Sequence, residues 1–160
     1  MTPLYIFDLD GTLADLTHRR HFVERPEGEK DWDAFHAGCW GDAPITPTIV
    51  TLVTLASAGV DIRIWSGRMN TVREQTLDWL YRCVDSHTSH YYGRKGLNAL
   101  LRMRPEGDYT PDDELKEGWL NGLSATDRQR LVAVFEDRAR VVAMWRRNGV
   151  QCYQVAPGEF

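Results

Sequence analysis

Apolar and polar positions follow two rhythms along this chain. Residues 4–8 form a short apolar run that ends at Asp-Gly, the pattern of a buried strand entering a turn. Residues 60–65 form a second run, ended by Ser66-Gly67; residues 131–135 and 150–155 form two more, and residues 97–103 are a further strand candidate. Helical spacing fills the intervals. Thr46 and Pro47 offer an N-cap and a first-turn proline, Ile49, Leu52, Val53 and Ala56 follow on one face, and Gly59 closes the helix. Thr71 and Glu74 have capping-box spacing ahead of Leu77, Leu80 and Tyr81. Thr110-Pro111 opens a helix carrying Leu115, Trp119 and Leu120, and residues 138–148 form one stopped by Gly149.

Strands alternating with helices predict βαβ units: an α/β fold with a mostly parallel sheet, helices on both faces, and one domain over residues 1–160. Residues 14–45 break the rhythm. They hold no convincing strand, but Trp32, Phe35, His36 and Cys39 fall at helical spacing, which predicts a short amphipathic helix. This insertion after the first strand either packs on the domain or forms a small lid over the sheet's carboxyl edge, where ligands bind in open α/β folds.

Bulk properties then remove several classes. No apolar run approaches the ~20 residues a membrane helix needs. The start lacks a basic region followed by an apolar stretch, and three widely spaced cysteines make no disulfide framework, so a cytoplasmic protein is expected. A net charge of −4 argues against wrapping long duplex nucleic acid, which needs a broad basic face. A pocket for one phosphate stays compatible.

Four polar clusters stand at strand ends or helix starts: Asp8 to Thr12, Ser66-Gly67-Arg68, the turn from Asp112 to Lys116, and Glu136-Asp137. Parallel strands bring such ends to one edge. The inventory suits phosphoryl transfer, which is mainly positioning and charge neutralisation. Asp8 can attack phosphorus, and Asp10 can serve as acid and then base. Ser66, the Gly67 amide and Thr12 can hold phosphate oxygens, and Lys116, oriented by Asp112 at i, i+4 and by Glu136, offsets the acids. Asp8, Asp10 and Asp137 supply oxygen ligands for Mg²⁺. Neighbours on a strand face opposite ways, so Glu136 and Asp137 should differ, with Asp137 favoured on the metal. His18, His21, His36 and Cys39 match no familiar zinc spacing and read as part of the insertion's face. Arg138, Arg140, Arg146 and Arg147 read as a solvated helix face; Trp32 and Trp40 are either buried or available to stack on a base.

Asp-x-Asp-Gly-Thr, a strand-end Ser, a helix Lys and a strand-end acidic pair, in that order, resemble the four motifs of haloacid-dehalogenase-like phosphatases. The phosphatase half of phage-type polynucleotide kinase/3′-phosphatase is a closer resemblance. Its features match Arg19, nine residues after Asp10; Ser66-Gly67-Arg68; Asp112, Asp113 and Lys116; and the stretch from Val141 through Gly158 to Phe160. The resemblance implies a Rossmann-like, haloacid-dehalogenase-type fold and a Mg²⁺-dependent phosphatase acting through an aspartyl-phosphate. It implies Arg19 and Arg68 on the substrate, a nucleotide or a nucleic-acid 3′ end. Two departures stand out: the usual Asp-Asp pair is Glu136-Asp137, and no Gly-x-x-x-x-Gly-Lys-Ser/Thr loop occurs, so a phosphatase module without its kinase half is expected. A free (deoxy)nucleoside 5′-monophosphate phosphatase and a non-catalytic nucleic-acid-binding module on the same fold are the alternatives.

Overall fold

A computed structural model describes residues 1–88 and 91–158. In chain order the elements are β1 (Leu4–Phe7), β2 (Ala14–Asp15), α1 (Trp32–Ala37), β3 (Ala43–Pro44), α2 (Thr46–Ser57), β4 (Asp61–Met69) and α3 (Arg73–Cys83). Then come α4 (Gly93–Leu100), β5 (Leu101–Arg104), α5 (Asp112–Asn121), α6 (Ala125–Arg130), β6 (Leu131–Arg138), α7 (Ala139–Arg147) and β7 (Cys152–Gly158). Five strands lie parallel in the order β5-β4-β1-β6-β7, and β2 pairs antiparallel with β3.

Alternation along the strands sorts side chains into two layers. Phe7, Ile62 and Ile64 join one buried cluster with Ile49 and Leu52 of α2, Leu77 and Leu80 of α3 and Leu97 of α4. Ile6, Trp65 and Val134 join the other with Leu115 and Trp119 of α5 and Val142 and Trp145 of α7. The Trp65 ring meets Trp119 edge-on at 5.6 Å and lies 5.7 Å from Trp145. Each fully buried Leu or Ile in such a layer contributes roughly 1.5–3 kcal/mol.

This topology positions the site. From central β1 the chain moves outward to β4 and β5, then returns to β6 and β7 on the other side. The strand order reverses at β1, and that reversal opens a crevice at its carboxyl end. Asp8 lies there, its amide donating to the Phe135 carbonyl at 2.9 Å.

Several boundaries differ from the sequence expectations. Residues 97–103 are the end of α4 followed by β5, because Leu97 belongs to a helical face and only Leu101 and Met103 alternate as strand. Thr46 lies inside α2 and makes no side-chain cap, although Pro47 keeps its first-turn place. Thr71 and Glu74 form no capping box; Glu74 pairs with Arg94 instead. β4 runs on to Met69, so Ser66-Gly67-Arg68 belongs to an irregular strand rather than to a helix approach. The 14–45 segment has the predicted helix, capped by Asp31, whose Oδ1 accepts the Ala34 amide at 2.9 Å. It also has the unexpected β2–β3 pair, which draws its two ends together. Trp32 and Trp40 are exposed, not buried. Phe160 lies outside the described residues. Among the described residues no helix is long and apolar enough to cross a membrane.

Candidate active site

Asp8, Lys116, Asp112, Glu136 and Asp137 converge at the carboxyl end of β1. The Lys116 ammonium donates to Asp8 Oδ1 at 2.6 Å and to Glu136 Oε2 at 2.9 Å, and lies 3.2 Å from Asp112 Oδ2, one helical turn earlier. All five side chains are nearly or wholly buried. Asp8, Glu136 and Asp137 each offer a carboxylate oxygen within 4.8 Å of the others. Simple alternation would have turned Glu136 and Asp137 to opposite faces. Both acids nevertheless reach Asp8, at the end of β6 where its pairing with β7 becomes irregular between Glu136 and Arg138. They still differ, since Glu136 also accepts the Arg138 amide at 3.3 Å while Asp137 lies against Gly11.

Four carboxylates share one ammonium here, and the protonation equilibria follow. Burial and the neighbouring Glu136 raise the Asp8 carboxyl well above its usual range. Burial, reinforced by Asp112 and only partly opposed by Lys116, pushes Glu136 up to about 7. Burial and the adjacent Asp8 push Asp137 up to about 6. Burial works against the Lys116 ammonium, but Asp112, Asp8 and Glu136 outweigh it and hold its pKa well above normal. Burial would raise Asp112, and Lys116 and Arg138 outweigh it, so that acid is lowered. Among the described residues, acids outnumber bases at this centre.

A second cluster adjoins the first. Arg68 donates from Nε and Nη2 to Asp10, the latter at 2.6 Å, and from Nη2 to Asp42 Oδ2 at 2.5 Å. Arg19 donates from Nη2 to Asp10 at 2.6 Å and from Nε to Asp42 Oδ1 at 2.7 Å. Both arginines are wholly buried, so neither presents its guanidinium to solvent in this arrangement. Burial alone would raise Asp10, yet Arg68 and Arg19 hold it well below the usual carboxylate range. The Asp10 side chain is therefore committed to arginines, and the three-carboxylate group comprises Asp8, Glu136 and Asp137.

Sequence reasoning missed Asp42. Its carboxylate also takes His18 Nε2 at 2.9 Å, and its carbonyl accepts the Trp79 indole N–H at 2.7 Å. The only local signal was an acid beside Ala43-Pro44, which reads as a turn. Arg104 was missed as well: it donates to the Gly67 carbonyl at 2.9 Å and to Asp112 at 3.4 Å, tying the Ser-Gly-Arg strand to α5.

Two glycines permit these approaches. A Cβ on Gly11, at φ +82°, would lie 2.1 Å from Asp137 Oδ2, and one on Gly67 would lie 2.4 Å from Asp112 Oδ1. Ser66 is wholly buried, its Oγ accepting the Arg68 amide at 3.1 Å. Thr12 is also enclosed, and its hydroxyl has no partner among the described residues. Of the other marked residues, Asp113 pairs with Arg140, Arg147 with Glu117, and Arg146 donates to the Cys152 carbonyl.

A buried aspartate at the end of the central strand, gripped by a lysine and flanked by an acidic pair, defines a haloacid-dehalogenase-type phosphoric monoester hydrolase. The class C acid phosphatase from Bacillus anthracis shares this fold at 18% identity, with a TM-score of 0.59 over 88% of this chain and 53% of that one. More particularly, the chain belongs to the family described as the polynucleotide kinase PNKP phosphatase domain, which matches residues 2–160. A chain of the Pnkp1/Rnl/Hen1 complex is 30% identical, with a TM-score of 0.74 over 99% of this chain and 48% of that one. A chain of the Pnkp1/Rnl/Hen1 RNA repair complex is 29% identical, with a TM-score of 0.73 over 99% and 44%. This chain thus spans about half the length of those neighbours.

Proposed function

We propose that this chain is a Mg²⁺-dependent phosphatase that removes phosphate from nucleotides or from nucleic-acid 3′ ends through a phosphorylated Asp8. The observation that carries this reading is the Lys116 ammonium bonded to both Asp8 and Glu136, with Asp137 completing the three-carboxylate group. Lys116 holds one Asp8 oxygen and leaves the other to attack phosphorus. The donor set fits Mg²⁺: it is all oxygen, anionic and short of positive charge, with Asp8 and Asp137 as holders and Glu136 occupied by Lys116. When bound, the ion supplies the charge that lets an anionic nucleophile meet an anionic phosphate.

Asp10 and the arginines act together in this reading. An incoming phosphate competes for the guanidinium N–H groups of Arg19 and Arg68, since charge-assisted forks favour its paired oxygens. As those bonds move to the substrate, Asp10 is released from its clamp and becomes basic enough to carry a proton. Asp8 then forms a bond to phosphorus, the ester P–O bond breaks, and Asp10 gives its proton to the departing oxygen. In the second half Asp10 takes a proton from water as that water displaces Asp8 from phosphorus. Ser66, whose oxygen accepts the Arg68 amide, keeps its O–H to donate to a phosphate oxygen together with the Gly67 amide, and Thr12 lies behind them. The 14–45 segment serves as a lid, because it supplies Arg19 and Asp42 to this centre. The RNA repair setting of one neighbour favours nucleic-acid 3′ ends over nucleoside 5′-monophosphates.

Phosphate release tests the proposal, measured with and without Mg²⁺ on nucleoside 3′- and 5′-monophosphates, 3′-phosphorylated DNA and RNA oligonucleotides, sugar phosphates and p-nitrophenyl phosphate. Turnover on 3′-phosphates that chelation and Asp8→Asn both abolish supports it. Full activity in excess chelator, or turnover of sugar phosphates with none on any nucleotide, rejects it.

A further inference from the structure

A cavity of about 730 Å³ adjoins the second cluster, between the 25–37 stretch and the loops that follow β4 and β5. Its size lies in the range of small-ligand sites. Met69, which lines it, directly follows Arg68, and His36, which also lines it, feels the charges of Asp10, Arg19 and Arg68. The cavity therefore borders the Arg19–Arg68–Asp10 cluster on the His36 side. Nothing in the phosphoryl chemistry uses its residues.

Three features describe an occupant. Trp32 on α1 and Tyr109 after β5 both line the cavity and both are exposed, so both rings are accessible to a ligand there. His36 has an enclosed Nδ1 with no hydrogen-bond partner among the described residues, and its ring stacks on Trp32 at 6.2 Å. Burial and the nearby arginines, outweighing Asp10, pull this imidazole down to about 4, so it is neutral at physiological pH. Finally, the lining carries four acids, Glu29, Asp31, Asp33 and Glu106, against two bases, Arg25 and Lys30. Such a lining rejects a second phosphate and suits an uncharged group with N–H donors.

We infer that this cavity is the nucleoside subsite: the sugar of the scissile ester hydrogen-bonds His36, and the base stacks on Trp32 and Tyr109. The inference rests on the nucleotide reading above and deepens it. The base and sugar sit inside, one phosphate reaches Arg19 and Arg68, and any further chain leaves through the mouth. His36 contacts the leaving group as a neutral hydrogen-bonding ring and transfers no proton.

Steady-state kinetics on a nucleoside 3′-monophosphate and on p-nitrophenyl phosphate test this. Loss of one stacking ring typically weakens base binding by roughly fivefold or more. Trp32→Ala and Tyr109→Ala should each raise KM for the nucleotide by at least about that factor, and lower its kcat/KM relative to the artificial ester. His36→Ala should do the same, with His36→Gln recovering part of the loss by restoring a hydrogen-bonding atom. Tyr153→Ala, on exposed β7 surface, should leave both substrates unchanged. If wild-type enzyme prefers the nucleotide while both aromatic variants keep its KM, the subsite is overturned and the phosphatase function stands. Equal losses on both substrates also overturn it. If wild-type enzyme hydrolyses only the artificial ester, the nucleotide reading itself fails.

Discussion

Asp42 holds Arg68 across 26 residues of sequence, Oδ2 to Nη2 at 2.5 Å, with both side chains shut away from solvent. The same carboxylate binds Arg19 on its other oxygen. With Asp10 the group holds two guanidinium and two carboxylate charges, so it is electrically balanced. Such balance explains how two arginines can be wholly buried, since an unpaired buried charge is costly.

Removing the balance gives the first prediction. Asp42→Asn keeps the side-chain shape but leaves one buried guanidinium charge uncompensated. Breaking a buried network in this way costs about 3–5 kcal/mol. Urea unfolding should show a loss of that order, and turnover should fall because Arg19 and Arg68 lose their common anchor. Wild-type stability in Asp42→Asn would mean that the arginines reorganise without it.

The acidic pair gives the second. Glu136 is bonded to Lys116 and to the Arg138 amide, whereas Asp137 has Asp8 as its close charged neighbour. Asp137→Ala should weaken Mg²⁺ binding by more than the roughly tenfold typical of a lost supporting partner. Glu136→Asp keeps a carboxylate near Lys116 and should stay active. Calorimetric titration with Mg²⁺ checks both; unchanged affinity in Asp137→Ala would give the metal to Glu136 instead.

The arginines give a third. If Arg68 passes its N–H groups from Asp10 to the substrate, Arg68→Ala removes a charge-assisted contact worth on the order of 2–4 kcal/mol in the transition state. It also frees Asp10, so the acidic limb of the pH–rate profile should move upward. Arg68→Lys should retain charge but not the fork and recover only part of the rate. A profile unchanged in shape would show that Arg68 binds phosphate without governing Asp10.

Much of this centre was legible because its signals are local. Asp8 ends an apolar strand, Asp112 and Lys116 share one helical turn, and Glu136-Asp137 ends another strand, so each announces its own place. Topology then brings them together. Asp42 and Arg104 were not legible, because their partners lie in other elements and their neighbours read as ordinary loop. The strand expected over residues 97–103 failed for a different reason: Leu97, Leu100, Leu101 and Met103 make one apolar run that serves first a helix and then a strand. The convergence of Glu136 and Asp137 runs against simple strand alternation, at the irregular end of the β6–β7 pairing, and no residue pattern marks it.

The last prediction concerns pH and metal together. Asp137 moves from an ordinary value near 3.8 to about 6 on folding, Glu136 from 4.5 to about 7, and Asp8 is also raised. Between the unfolded and folded values the native chain binds more protons than the unfolded one, so metal-free stability falls as pH rises from about 4 to 7. His36 runs the other way: its folded value of about 4 lies below the ordinary 6.5, which favours the native state as pH rises over that window. Asp10, lowered on folding from an ordinary 3.8, adds a rising slope only at the acid end of the window. At about 1.4 kcal/mol per pH unit, Asp137 and Glu136 together outweigh His36 by roughly 3 kcal/mol, and Asp8 adds to the loss in the same direction. Mg²⁺ binds the ionised carboxylates, so saturating metal should cancel this loss and turn the slope upward. Urea unfolding at pH 4.5, 6 and 7.5, in chelator and in excess Mg²⁺, reads both slopes. Metal-free stability that climbs through this window would show that the three acids are already neutralised by contacts within the protein.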